Sequence, residues 1–253
     1  MSMWRVKREV ICLILLGLFF SLPLDAAENG NSIEAGKKIF TYGVNDRIPA
    51  CQKCHGSDGM GLGAVDIATP RTAAQTYTYL LKQLTDFATG RRTDDVMHQM
   101  NRIAKGLSAQ QRRDVAAFLH SLKWPYEGSD LARLGRDGVN VGNPGRGRII
   151  VNFGVRARSI AACKVCHGYD GHGAGRLYPV LSGQNYLYLT HELKSFRRAA
   201  LRKKEYGRAN DFMAQMRDVA AKLSDQDILD AAAFLTGAKP PPMPENPKGT
   251  GVE

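Results

Sequence analysis

The sequence predicts an all-α protein made of two tandem helical domains. Three observations lead there: the chain repeats itself, the apolar residues of each repeat recur at helical spacing, and neither repeat shows a convincing alternating strand. GKKIFTYGVNDRIPACQKCHG from Gly36 lies over GRIIVNFGVRARSIAACKVCHG from Gly147, with one residue inserted before the second cysteine pair. Gly36 falls on Gly147, Ile39 on Ile150, Tyr42 on Phe153 and Gly43 on Gly154. Further on, PRTAAQTYTYLLKQLTDF from Pro70 matches PVLSGQNYLYLTHELKSF from Pro179, and MHQMNRIAKGLS from Met97 matches MAQMRDVAAKLS from Met213, both without gaps. Each unit is then roughly 90–100 residues, near the lower end of domain sizes.

The elements follow in chain order. Residues 1–27 read as a secretory signal peptide. Arg5, Lys7 and Arg8 form a basic start, Val10 to Phe20 an unbroken apolar run, and Ala26 and Ala27 a small-residue exit. The run is short for a membrane span of roughly 20 residues, so an uncleaved anchor is the lesser reading. The first domain occupies 28–123. Within it Leu80, Leu84 and Phe87 mark a middle helix. Ser108 with Gln111 forms a capping box ahead of a last helix whose stripe is Val115, Phe118, Leu119 and Leu122. Residues 124–145, with Pro125, Pro144 and several glycines, read as a surface linker. The second domain, 146–238, repeats the pattern with Leu189, Leu193 and Phe196, then Ser224 with Asp227, then Ala231, Phe234 and Leu235. Residues 239–253 form a proline-rich tail with no core-building pattern.

Composition narrows the class. Removing the first 27 residues takes away Arg5, Lys7, Arg8, Glu9 and Asp25, which lowers the formal net charge of +11 by one. An exported basic chain does not meet nucleic acid in its work. Its charge suits docking to acidic protein surfaces, or peripheral contact with anionic lipid. Aromatic residues are few at 8%, and a buried prosthetic group could supply the missing apolar volume.

Of five cysteines, Cys12 lies in the signal run, and the other four stand in ACQKCHGSDGMG and ACKVCHGYDGHG. Cys51, Cys54 and His55 sit at i, i+3 and i+4, which places them on one face of a helical turn. Cys163, Cys166 and His167 repeat the arrangement. Covalent haem c needs it: two thiols add across the two vinyl groups, and the adjacent imidazole reaches the iron from the same side. A thioredoxin-type pair would want a preceding strand, and a zinc site would want its ligand pairs in one compact unit. Plain disulfides would leave both histidines unexplained. Two haem c groups are therefore expected, with Cys51, Cys54, Cys163 and Cys166 binding the porphyrins and His55 and His167 the irons.

Methionine, histidine or nothing could take the other axial position. His98, His120, His172 and His191 have no histidine in the matching slot of the other repeat; His172, for instance, falls opposite Met60. Methionines do repeat, as Met97-x-x-Met100 and Met213-x-x-Met216. At i, i+3 they could also be adaptable core filler.

With these residues the chain resembles the di-haem class I cytochromes c of the cytochrome c4 type, from about Ser32 to Ala238. The resemblance rests on the two C-x-x-C-H-G motifs, PVLSGQNYLYLTHEL and MRDVAAKLSDQD. It implies two cytochrome c-like domains, each wrapped around one haem c. It implies an axial methionine eight residues before the serine that opens the last helix, which selects Met100 and Met216, with Met97 and Met213 next. It also implies that the carbonyls of Pro70 and Pro179 hold the second nitrogen of each proximal histidine. The first unit departs from the family with TAAQ at Thr72 where the second has LSGQ. The second carries an inserted RRAALRKKEY from Arg197, whose Arg197, Arg198, Arg202, Lys203 and Lys204 are either a docking strip for an acidic partner or a solvated helix extension.

The expected function is electron transfer between redox partners in the periplasm, toward a terminal oxidase, with no bond chemistry of its own. The alternative is a haem subunit of a sulfide- or thiosulfate-oxidising dehydrogenase. A haem enzyme such as a peroxidase would need an open axial site, against which the paired methionines stand.

Overall fold

The computed structural model describes residues 24–61, 69–94, 99–123, 128–201 and 207–239, with side chains of the first helix from Ser32 onward. Among them every regular element is helical, and extended pairing is limited to the single bridges Asn45–Ile48 and Val155–Ile160. The first half holds α1 (Leu24–Tyr42), α2 (Gln52–His55), α3 (Tyr77–Ala88), α4 (Gln99–Gly106) and α5 (Ala109–Ser121). After α6 (Leu131–Arg136), the second half repeats the order as α7 (Pro144–Phe153), α8 (Lys164–His167), α9 (Tyr186–Ala200), α10 (Gln215–Ala220) and α11 (Asp225–Gly237).

The last helix of each half starts where its cap requires. Gln111 N–H donates to Ser108 Oγ at 3.1 Å, and Gln111 Oε1 accepts from Ser108 N–H at 2.8 Å. Asp227 does the same for Ser224, at 3.1 Å and 2.7 Å. Each such cap is worth about 1 kcal/mol. The apolar face that follows closes the core. Val115, Phe118 and Leu119 of α5 meet Ile39 and Phe40 of α1 and Leu80 of α3, with the Phe40 and Phe118 ring centroids 5.4 Å apart. Ile228, Ala231, Ala232 and Leu235 of α11 meet Ile150 and Val151 of α7 and Leu189 of α9.

The first and last helices of each half cross at a glycine. A Cβ on Gly36 would lie 2.0 Å from the Asp114 carbonyl oxygen, and one on Gly147 would lie 1.9 Å from that of Asp230. Both glycines would also press on a phenylalanine Cβ, at Phe118 and Phe234. No side chain fits unless the helices separate, which explains why the repeat carries glycine at both places. One departure of the first repeat is visible in the backbone. Ala74 of TAAQ takes φ +55° where Gly183 of LSGQ takes φ +64°. The alanine pays roughly 1–2 kcal/mol for that left-handed conformation.

Residues 128–143 are not the surface linker that their glycines indicate. Leu134 is buried in the second core, with Leu131, Val139 and Val141 packed beside it. Ser129 N–H donates to Thr236 Oγ1 at 2.8 Å, and Tyr186 Oη donates to the Asn140 carbonyl at 2.9 Å. Two of the glycines serve close approach: a Cβ on Gly128 would lie 1.6 Å from the Thr236 carbonyl oxygen, and one on Gly142 would lie 2.2 Å from the Leu229 carbonyl carbon. The segment is thus an extra layer on the second half, and 124–127 lie outside the described residues. So do the signal segment up to residue 23 and the tail from 240. Of the basic insertion, 197–200 extend α9. Arg197 there is bound to the Leu223 carbonyl at 2.9 Å and paired with Asp225. Arg202, Lys203 and Lys204 lie outside the described residues.

Candidate haem sites and the contact between the two halves

Each C-x-x-C-H motif forms a single helical turn, α2 and α8, entered by Cys51 or Cys163 at the cap. His55 N–H donates to the Cys51 carbonyl and His167 N–H to the Cys163 carbonyl, both at 2.9 Å, so the two sulfurs and the imidazole share one side. The turn exits through a glycine at φ +76° in both copies, Gly56 and Gly168. A second glycine closes the loop back: Gly61 N–H donates to the His55 carbonyl at 2.7 Å, and Gly173 N–H to the His167 carbonyl at 2.6 Å.

The imidazoles are held as the resemblance implies. His55 Nδ1 is 3.3 Å from the Pro70 carbonyl oxygen, and His167 Nδ1 is 3.0 Å from that of Pro179. A carbonyl can only accept, so Nδ1 carries the proton in both rings, and Nε2 keeps a free lone pair. Burial pushes both imidazole pKa values below the usual one, against the pull of the carbonyl bonds, and at His167 the charge of Arg208 adds to the lowering. Both rings are therefore neutral. His167 Nε2 is fully buried and has no hydrogen-bond partner, which is the environment of a nitrogen that serves a metal. Tyr178 packs edge-on against the His167 ring at 5.9 Å and has no counterpart in the first half, where Thr69 stands.

All four thiols are free of disulfides. Burial pushes the Cys51 and Cys163 thiols up to about 11. A zinc centre needs anionic sulfur, which this burial opposes; a neutral thioether suits it. The residues present fit covalent haem c.

Of the methionines expected to serve the irons, Met100 lies half-buried near the start of α4 and Met216 half-buried in α10. Met213 is 76% exposed, in a left-handed turn with φ +50°. Met97 and His98 lie outside the described residues. The remaining histidines bond backbone. His120 Nδ1 faces the Gln75 carbonyl at 2.8 Å, His172 Nδ1 that of Tyr169 at 2.7 Å, and His191 Nε2 that of Asp94 at 3.3 Å.

The contact between the halves is polar, buried and nearly two-fold symmetric. Gln75 and Gln184, identical residues in the gapless part of the repeat, each reach into the other half. Beside them Arg92 bonds Asp94 at 2.8 Å, Glu192 at 2.6 Å and Gln83 at 2.9 Å, while Arg208 bonds Glu192 at 2.5 Å and Gln83 at 3.0 Å. Arg92 also covers the Phe87 ring, as Arg208 covers that of Phe196. Gln83 and Glu192 occupy the same repeat position, as do Tyr79 and Tyr188. Burial opposes the charge on Arg92, yet Glu192, Tyr188 and Asp94 raise its pKa well above the usual value. Asp94 is correspondingly held low despite its own burial, chiefly by Arg92. Asp94, His191 and Glu192 bring donor atoms within 4.8 Å of one another. Guanidinium groups already neutralise both carboxylates, so the trio lacks the charge that would draw a cation. Sequence reading missed these arginines because an isolated arginine reads as surface; the signal was the alignment of their glutamine and tyrosine partners.

A helical turn bearing two thiols and a proline-oriented imidazole, made twice in tandem all-α halves, defines a c-type cytochrome. The chain belongs to the cytochrome c family, whose model matches residues 33–123 and 156–239. It is 34% identical to the thiosulfate dehydrogenase electron acceptor of Stutzerimonas stutzeri (strain A1501), over 86% of this chain and 89% of that one. It is 34% identical to cytochrome c4 of Thiocapsa roseopersicina, over 74% of this chain and 86% of that one. Among solved structures, thiosulfate dehydrogenase from Marichromatium purpuratum superposes with a TM-score of 0.66 at 28% identity, over 81% of this chain; the match spans 40% of that longer chain. The protein is of the cytochrome c4 type, two c-type domains in tandem, and its work is electron transfer.

Proposed function

We propose that the chain is an exported di-haem carrier that accepts electrons from a periplasmic dehydrogenase and delivers them toward a terminal oxidase. The duplicated proximal arrangement carries the reading: two neutral imidazoles with Nδ1 tied to proline carbonyls and Nε2 left for iron. Covalently held haem iron would supply the one-electron chemistry. The chain's residues do the remainder. Cys51 and Cys54, with Cys163 and Cys166, anchor the porphyrins. His55 and His167 ligate from the proximal side. Met100 and Met216 would supply the second ligands, a pairing that would raise the potential and leave no open position for oxygen chemistry. The half-buried placement of Met216 against the exposed, strained Met213 supports that choice in the second half. The buried polar contact fixes the halves, and so the distance an electron must cross between them.

The likeness to a thiosulfate dehydrogenase electron acceptor over most of both chains supports a thiosulfate-oxidising donor. Exposed Phe153, Val165 and Tyr169 around Lys164, at the second motif, supply an apolar and positive rim for brief docking. A thiosulfate dehydrogenase given thiosulfate should reduce the oxidised protein completely at catalytic enzyme concentrations, more slowly as salt rises. No reduction by that enzyme, with rapid reduction by a quinol-oxidising complex, would overturn the assigned donor. A protein that elutes only in complex with the dehydrogenase would instead make it a fixed subunit.

A further inference from the structure

We propose that Gln75 and Gln184 are positioning residues that act across the domain contact, each tuning the proximal histidine of the opposite half. The geometry is reciprocal. The Pro70–Arg71 peptide accepts from His55 Nδ1 through its carbonyl and donates through its N–H to Gln184 Oε1 at 2.7 Å. Gln184 Nε2 then donates to the Arg71 carbonyl at 2.9 Å. In mirror image, the Pro179–Val180 peptide accepts from His167 Nδ1 and donates to Gln75 Oε1 at 2.9 Å, and Gln75 Nε2 donates to the Val180 carbonyl at 2.8 Å. Both glutamines are buried. A structural role would ask only that the halves adhere. Here each glutamine instead accepts from the N–H of the one peptide unit whose carbonyl holds the other half's imidazole, and donates to the carbonyl of the next.

That placement has an electronic consequence. The C=O and N–H of one peptide are conjugated, so hydrogen bonds at its two ends strengthen each other. An acceptor on the Arg71 N–H enriches the Pro70 oxygen, which then draws the His55 proton harder and gives the ring more anionic character at Nε2. A more basic Nε2 favours the higher charge state of an iron bound to it. The same chain of bonds runs from Gln75 to His167. The reduction potential of each half is thereby set partly by a residue of the other.

The inference rests on the haem c reading, so haem content is measured first on the purified holo-protein; a wild type without covalent haem would overturn that reading rather than this one. Redox titrations then follow each haem separately, by methyl proton resonances assigned with variants lacking one cysteine pair. Gln184→Leu is expected to shift the first-domain potential upward and leave the second at its wild-type value; Gln75→Leu should do the reverse. Should the leucine variants fail to fold, Gln184→Glu retains the acceptor for the Arg71 N–H and strengthens it. It should move the first-domain potential down, and further than the second. Potentials that stay unchanged, or that move together by equal amounts in each variant, would overturn the proposal.

Discussion

Replacing Glu192 by alanine should destabilise the folded protein by about 3–5 kcal/mol, the usual loss when one member of a buried ion pair is removed. Glu192 is the carboxylate shared by Arg92 of the first half and Arg208 of the second, at 2.6 Å and 2.5 Å, and all three are buried. Without it two guanidinium groups face each other with Asp94 alone nearby. Glu192→Gln copies the residue that the first half carries at this position, Gln83. It keeps an acceptor for the arginines and should lose less than the alanine variant. Urea unfolding followed by helical circular dichroism gives both values. An alanine variant within about 0.5 kcal/mol of wild type, the range of ordinary surface changes, would show that the network does not hold the halves.

Replacing Cys163 and Cys166 together by alanine should halve the covalent haem per chain and leave the first-half haem spectrally normal. The two clamps are built from separate residues: Pro70 and α2 hold one, Pro179 and α8 the other. The second half should also lose thermal stability, because a group bound only by the folded state stabilises that state. Haem absorbance in alkaline pyridine, divided by protein concentration, checks the first outcome. Undiminished covalent haem in this variant would mean that Cys163 and Cys166 are not attachment points.

Much of this architecture can be read in the sequence, because it depends on local chemistry repeated twice. Ser108 and Ser224 cap the helices they should, since a capping box is a three-residue matter. Gly36 and Gly147 align and prove to be the same helix crossing. The proximal turn is legible because C-x-x-C-H is itself one helical turn. What could not be read depends on long-range packing. The glycines of 128–143 look like a linker, but Gly128 and Gly142 mark close approach, and Leu131 and Leu134 carry the segment into the second core. Arg92 and Glu192 stand 100 residues apart, and nothing local pairs them; only the packing of the two halves does. Arg197 could be read as part of a docking strip or of a helix extension; it extends α9, and its guanidinium is engaged within its own domain. The methionines fall between these cases: the family resemblance implies Met100 and Met216, eight residues before Ser108 and Ser224, while the half-burial of Met216 against the exposure of Met213 is seen only once the chain is folded.

The most direct test of the account is the optical spectrum of the purified protein together with single methionine variants. Two covalent haems per chain are expected, low-spin when oxidised, with the weak near-infrared band of sulfur-to-iron ligation. Met100→Ala and Met216→Ala should each remove about half of that band, as one of two sites loses its sulfur ligand, while Met213→Ala leaves it whole. A high-spin ferric spectrum in the wild type, or a band that survives loss of both Met100 and Met216, would contradict a pair of six-coordinate His/Met sites.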